Sequence, residues 1–308
     1  MARYQQQLYA LGSTCFLTIV SDESEARVYH IFASLVGQIA DFENRYSRFL
    51  ADSELTIFNQ QAGHKTVVSP GFLKLLKTVQ QLSKQTDGLY NPFILPALQN
   101  SGYIGSWPNP EQSQPNTDYR SRNVMSANSL EIGDKWARIP ENSAIDLGGI
   151  GKGYLLDALA QSLQGHNLQG YWLSLGGDIL CAGHDQDSQP WKVAIQNATN
   201  RHDTVENITN STGEVMAIAT SGVIKRRGDH NGLAWHHIID PRTGRPAKTN
   251  ILTVTAVAKQ ATIADVFAKC ILIAGTSQAN KYRSDHKITS FIVQTGKPLT
   301  TKSAKVRS

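Results

Sequence analysis

Cysteine is scarce: the 308 residues hold three, Cys15, Cys181 and Cys270, far apart and each set in apolar sequence. With no CxxC pair and no Cys/His cluster, a disulfide framework or zinc centre is not expected, and the thiols read as buried. No apolar run approaches the roughly 18 to 20 residues that span a bilayer, so no integral membrane segment is expected. The first twenty residues lack the form of a secretory or lipoprotein signal, which makes the expected compartment cytoplasmic. Internal repeats and heptads are missing. So is any basic stripe interleaved with aromatics, which leaves a nucleic-acid partner without support.

What is present describes an ordinary globular chain with a sizeable core: 40% hydrophobic residues, 18% charged, 24 glycines and 11 prolines. The formal charge of +5 has a local source. Residues 297–308 hold Lys297, Lys302, Lys305 and Arg307 and no acid, four of those five charges, in what reads as a frayed basic tail. The pI near 9.0 therefore says little about a substrate.

Apolar spacing of three and four predicts helices over 23–46, Pro70–Gln85, Ile150–Leu163 and Ala261–Ala274. Strands are expected at Cys15–Val20, Gly170–Leu175, Trp191–Gln196, Val215–Thr220, His236–Ile239 and Ile251–Ala258, with a strand end at Ala144–Leu147. Residues 101–128, rich in Ser, Asn, Pro and Gln, read as a surface loop or insertion. The sum is a mixed α/β or α+β domain.

Four clusters carry chemistry. Asp146-Leu147-Gly148-Gly149-Ile150-Gly151-Lys152-Gly153 is a glycine-dense turn feeding a helix, where free amides and one ammonium suit a phosphate. It fits neither the Walker A nor the Rossmann spacing, and its plain alternative is a structural turn. Thr220-Ser221-Gly222 with Lys225, Arg226 and Arg227 reads either as a hydroxyl-rich turn beside three cations that grips phosphate, or as a strand end followed by a solvated basic hairpin. In His236-His237-Ile238-Ile239-Asp240-Pro241, alternation puts His237 and Ile239 on one face, and His237 is a candidate base near neutral pH; a structural or surface role is the alternative. Asp265 and Lys269, four apart on a helix, form either a modest salt bridge or a carboxylate poised for Mg²⁺.

Taken in order, these blocks resemble the ApbE family of FAD:protein FMN transferases over nearly the whole chain. The resemblance begins at Leu11-Gly12-Ser13-Thr14 and runs through Arg45-Tyr46-Ser47-Arg48, Asp52 to Leu55 with Asn59, and Thr86 to Pro92. It continues through Asp146 to Gly153 with Asp157, Gly176-Gly177-Asp178, Thr220 to Gly222, His237 to Gly244, and Ala264-Asp265. It implies an α+β fold, a single T-fold-related domain over 1–296 with mixed sheets and packed helices. It also implies transfer of FMN from FAD to a Thr or Ser hydroxyl of a partner flavoprotein, with release of AMP and use of Mg²⁺. By the same resemblance Leu11, Tyr90, Asn91, Pro92, Asp146, Lys152 and Ile239 contact FAD, with Lys152 facing the phosphates. His237 activates the acceptor hydroxyl, and Gly149 with Asp265 holds the metal.

The departures are specific. Lys269 stands where typical members carry a metal-binding Thr, and Ala268 has no side-chain oxygen where some carry Asp. The Gly149 carbonyl and Asp265 then either keep Mg²⁺ with waters and phosphate oxygens, or leave the positive charge to the Lys269 ammonium. Leu11 replaces Met, a nearly volume-conserving change. Asn91 replaces Asp, and Ile224 stands where many members have Tyr. Two rival readings are an FAD-binding protein without transfer activity and a metal-dependent FAD pyrophosphatase giving FMN and AMP. The chain lacks the Ser-Gly-Ala-Thr-like acceptor signature, so self-flavinylation is not expected.

Overall fold

A computed structural model describes residues 1–105, 124–230, 233–285, 288–297 and 300–304. The chain begins with β1 (Ala2–Ala10), β2 (Ser13–Ser21), α1 (Glu25–Tyr46), α2 (Glu54–Gln60), β3 (Thr66–Val67), α3 (Pro70–Gln85) and α4 (Leu95–Asn100). It continues through β4 (Glu131–Ile132), β5 (Trp136–Arg138), α5 (Gly151–Ser162), β6 (Leu168–Leu175), β7 (Asp178–Gly183), β8 (Lys192–Gln196), β9 (Thr204–Thr209) and β10 (Met216–Gly222). The last part holds β11 (Arg227–His230), β12 (Leu233–His236), β13 (Ile239–Asp240), β14 (Arg245–Pro246), β15 (Ile251–Ala258), α6 (Ala261–Ala274), α7 (Ala279–Asp285), β16 (Ile288–Lys297) and β17 (Thr300–Ala304).

An eight-stranded sheet in the order β1-β2-β6-β7-β10-β15-β16-β17, antiparallel at every pairing, forms the frame. Alternation along β10 decides its two faces. Ala217 and Ala219 are buried with the residues of α1, α5 and α6, whereas Ile218 is buried with Val193 and Ile195 of the β8–β9 ribbon. Small alanines on the helical side let α6 lie close to β10. A second core joins α3 and α6 through Phe72, Leu76, Phe267 and Ile271, all fully or nearly fully buried. The helices thus stand on one face, and a cavity opens among their ends.

Three elements, α3, β15 and α6, have the bounds that periodicity predicts, and all three cysteines are buried free thiols. Other expectations need correction. Ala144–Leu147 is not a strand, because Asn59 takes the place of a neighbouring strand: its Nδ2 donates to the Ile145 carbonyl at 2.9 Å and its Oδ1 accepts from the Ile145 amide at 2.8 Å. His236–Ile239 is broken into the end of β12 and the start of β13. The His236 Nδ1 accepts from the Ile238 amide at 3.3 Å and turns the backbone there. Thr220-Ser221-Gly222 is the end of β10, in line with the plainer of its two readings, a strand end, and not with a hydroxyl-rich turn. Of the expected insertion, 106–123 lies outside the described residues. Of the expected frayed tail, Thr300–Ala304 is a strand, because the free edge of β16 offers its backbone as a partner, and 305–308 lies outside the described residues.

Candidate active site

A cavity of about 740 Å³ opens between the end of α1, the loop before α4, the turn into α5, one side of α6 and the segments around residues 226 and 238. Its size is that of a small-molecule site. Leu11, Tyr90, Asn91, Asp146, Gly149, Lys152, His237, Ile239 and Lys269, nine of the residues expected from sequence, line it. Pro92 does not line it; its carbonyl accepts from the Asp146 amide at 2.8 Å and so positions that residue. Asp265 lies behind the wall, reached through Lys269.

The glycine-dense turn is locally built. Asp146 Oδ1 accepts from the Gly148 amide at 2.8 Å, an Asx turn that starts the bend, and its Oδ2 lies 3.8 Å from Arg48 Nε. Ile150, the residue before α5, supplies no side-chain cap. The amides expected to be free are partly taken: Gly151 donates to the Leu147 carbonyl at 2.8 Å and Gly153 to Asp265 Oδ2 at 3.3 Å. Anion binding therefore falls mainly to side-chain cations.

Those cations are Arg48, Lys152, Arg226 and Lys269. Lys152 is ion-paired with Asp178, whose side chain is only 5% exposed and whose Oδ1 also accepts from the Thr220 amide. Burial pushes the Lys152 ammonium down to about 8; Asp265 pulls it up, while Lys269 and Arg226 push it further down. Lys269 Nζ donates to the Gly149 carbonyl at 2.8 Å and sits 3.5 Å from Asp265 Oδ1. Arg226 comes from the basic cluster after β10, where it adopts a φ of 49°; it alone of that cluster lines the cavity. Arg48 stacks over Phe49 and Tyr103, with its guanidinium carbon 4.2 and 4.9 Å from the ring centres.

His237 lies beside this group. Its Nδ1 is buried without a hydrogen-bond partner among the described residues, and its ring lies 6.1 Å from that of Tyr103. Burial, then Arg226, Lys269 and His236, push its pKa down to about 3, so the imidazole is neutral at pH 7, with an unprotonated nitrogen of low basicity. Tyr90 places a buried hydroxyl without a partner among the described residues in the same region, and burial with Asp146 and Asp265 holds it protonated.

The residues expected to hold Mg²⁺ do not fit it. Magnesium demands near-octahedral oxygen ligation at about 2 Å, and here the Lys269 ammonium already engages the Gly149 oxygen and faces Asp265. At a separation of about 4 Å and an effective dielectric of about 20, a divalent ion and that ammonium repel by roughly 8 kcal/mol. No cluster of three or more His, Cys, Asp or Glu that could hold a metal occurs among the described residues.

Arg48 and Asp178 stand within the motifs, but neither has a role that sequence alone assigns. The signal for Asp178 was the Gly-Gly-Asp turn: Gly176 has a φ of 62°, and Ser13 and Lys152 pack against it, which carries the chain into the carboxylate that pairs Lys152. Arg226 was one of three adjacent cations that sequence could not rank.

The model of the ApbE family matches residues 11–292, most of the chain. The chain belongs to the ApbE family. Among curated members, the FAD:protein FMN transferase of Vibrio cholerae is 29% identical over 241 residues, spanning 77% of this chain and 71% of that protein. The FAD:protein FMN transferase of Haemophilus influenzae is 26% identical over 275 residues, spanning 86% and 79%. The ApbE protein of Thermotoga maritima has a TM-score of 0.84 at 23% identity, covering 95% of this chain and 94% of that one. For the flavin transferase ApbE of Vibrio cholerae the TM-score is 0.78 at 24% identity, covering 98% and 97%. These structures share the ApbE fold. Among the described residues, no helix is long and apolar enough to cross a membrane.

Proposed function

We propose that this ApbE-family chain is an FAD:protein FMN transferase acting through a single domain over 1–296, with a flavoprotein Thr or Ser hydroxyl as acceptor. The observation that carries the reading is the convergence in one aromatic-walled cavity of a neutral histidine and the cations Lys152 and Arg226. Curated relatives named for this activity support it. Tyr90 and Tyr103, with Leu11 and Ile239, supply flat and apolar walls suited to the rings of FAD. Asn91 is held by its own bonds, donating to the Met125 carbonyl at 2.8 Å and accepting from the Phe93 amide at 2.9 Å, and so keeps the loop carrying Tyr90 in place. Asp146 offers a carboxylate to a nucleotide hydroxyl or amine.

In the reaction, the acceptor oxygen bonds to the FMN-side phosphorus of the pyrophosphate. The bond from that phosphorus to the bridging oxygen breaks, its electron pair leaves with AMP, and His237 takes the hydroxyl proton. A bound pyrophosphate offsets the field of Arg226 and Lys269 and so raises the basicity of His237. Lys152 and Arg226 stabilise charge on the equatorial and leaving oxygens. No step is assigned to Mg²⁺.

Incubation with FAD and an acceptor flavoprotein domain, followed by chromatography, tests the reading. Protein-bound FMN is expected; free FMN with AMP indicates the pyrophosphatase, and intact FAD indicates a binder. His237→Ala should abolish transfer while leaving FAD binding largely intact, and near wild-type transfer by that variant would remove His237 as the base.

A further inference from the structure

We infer that the Lys269 ammonium is the resident cation of this cavity, standing in for the Mg²⁺ that the family resemblance implies, so that FAD is held and used without a divalent metal. The inference rests on the flavin-transferase reading and adds the source of positive charge.

Three features fix the ammonium in a place where a ligand meets it. First, an ammonium has three donors. One is directed at the Gly149 carbonyl at 2.8 Å, a second faces Asp265 Oδ1 at 3.5 Å, and Lys269 itself lines the cavity, so a donor remains for a phosphate oxygen. Second, the space it fills is shaped for it. A Cβ on Gly149 would lie 3.1 Å from Lys269 Nζ and 3.2 Å from Tyr90 Cε2, so glycine at 149 leaves room for the lysine head and the tyrosine ring together.

Third, the support is rigid. Asp265 is one helical turn before Lys269 on α6 and its Oδ2 accepts from the Gly153 amide at 3.3 Å. The start of α6 is pinned by Asp157, which accepts from the Ala261 amide at 2.7 Å, the Thr262 amide at 2.9 Å and the Thr262 hydroxyl at 2.5 Å. Each cavity lysine therefore has its own carboxylate, Asp178 for Lys152 and Asp265 for Lys269. A pyrophosphate entering between them meets two fixed ammonium groups. An ammonium donates hydrogen bonds and carries one charge, which suffices to orient and partly neutralise a phosphate without ligating it.

The experiment is FAD titration of the full chain, followed by flavin fluorescence, in excess EDTA and in excess Mg²⁺. Wild-type affinity should agree between the two within about threefold, a difference under 1 kcal/mol. Lys269→Met, which keeps length and loses charge, should weaken FAD binding at least about tenfold in both, the loss of one hydrogen bond to a charged group. Lys269→Thr should bind as weakly as Lys269→Met in EDTA and recover in Mg²⁺, and that recovery also shows that the altered chain is folded. Wild-type binding that collapses in EDTA, or unchanged binding by Lys269→Met, overturns the inference and leaves the flavin reading standing. Absence of FAD binding by the wild type in both conditions overturns both.

Discussion

Gly153 is the point where α5 and α6 touch, and replacing it by alanine tests how the site is held together. A Cβ there would lie 2.4 Å from the Ala261 carbonyl oxygen, 2.7 Å from its carbonyl carbon and 2.9 Å from Thr262 Cα. All three are backbone atoms, so no side chain can swing away. Restoring an ordinary contact of 3.4 Å requires about 1 Å of movement of one helix against the other. Overpacking of this kind costs about 1–3 kcal/mol, whereas Gly→Ala inside a helix returns about 0.8–1 kcal/mol. The contact is with backbone and sits at the severe end, so the net expectation is a loss of about 1–2 kcal/mol. The same shift moves Asp265 off the Gly153 amide and Lys269 off the Gly149 carbonyl, so FAD affinity should fall with stability. Denaturant unfolding with an unchanged m-value, together with FAD titration, measures both. A Gly153→Ala chain as stable as the wild type with unaltered FAD affinity would refute the claim that this glycine exists for close helix packing.

Other perturbations have equally definite outcomes. Lys152→Met strands the nearly buried Asp178 and should cost about 3 kcal/mol or more, most of it recovered by adding Asp178→Asn; strictly additive losses by denaturant unfolding would argue against the pair. Asp157→Ala removes all three acceptor contacts at the start of α6 and should cost about 2 kcal/mol or more by the same assay, with no loss counting against the pinned helix. His237 stays neutral in the folded chain down to about pH 3 against an ordinary 6.5. The unfolded chain therefore binds the extra proton in that window, and stability declines as pH falls from about 6.5 toward 3, by roughly 3 kcal/mol at pH 4 from this group. His237→Gln should flatten the acid limb of the melting-temperature profile, and parallel profiles for the two chains would contradict the assignment.

Much of the frame could be read from residue order because its elements carry their own signals. Helix α3 has Ser69 before Pro70 and an apolar stripe ending before Asp87-Gly88; α6 and β15 have clean periodicities. Strand β1 was not legible, since ARYQQQLYA buries little and is defined by its pairing with β2. Nor was the irregular path of 144–147, decided by a single side chain, Asn59, from 86 residues away. At the site, motif order brought nine residues to one cavity. What sequence left undecided was contact chemistry: which of Lys225, Arg226 and Arg227 turns inward, that Asp178 pairs Lys152, and that Pro92 acts through its carbonyl. The choice between metal and ammonium at residue 269 also needed distances, because the same Asp-x-x-x-Lys spacing describes a surface salt bridge and a buried cation.

Transfer of FMN from FAD to a protein hydroxyl makes two products at once, and one reaction can be followed through both. With FAD and an acceptor flavoprotein domain, AMP released and flavin bound covalently to an acceptor Thr or Ser, located by mass spectrometry, should rise in equal amounts, in EDTA as well as in Mg²⁺. AMP accompanied by free FMN, or FAD left intact under both conditions, would contradict it.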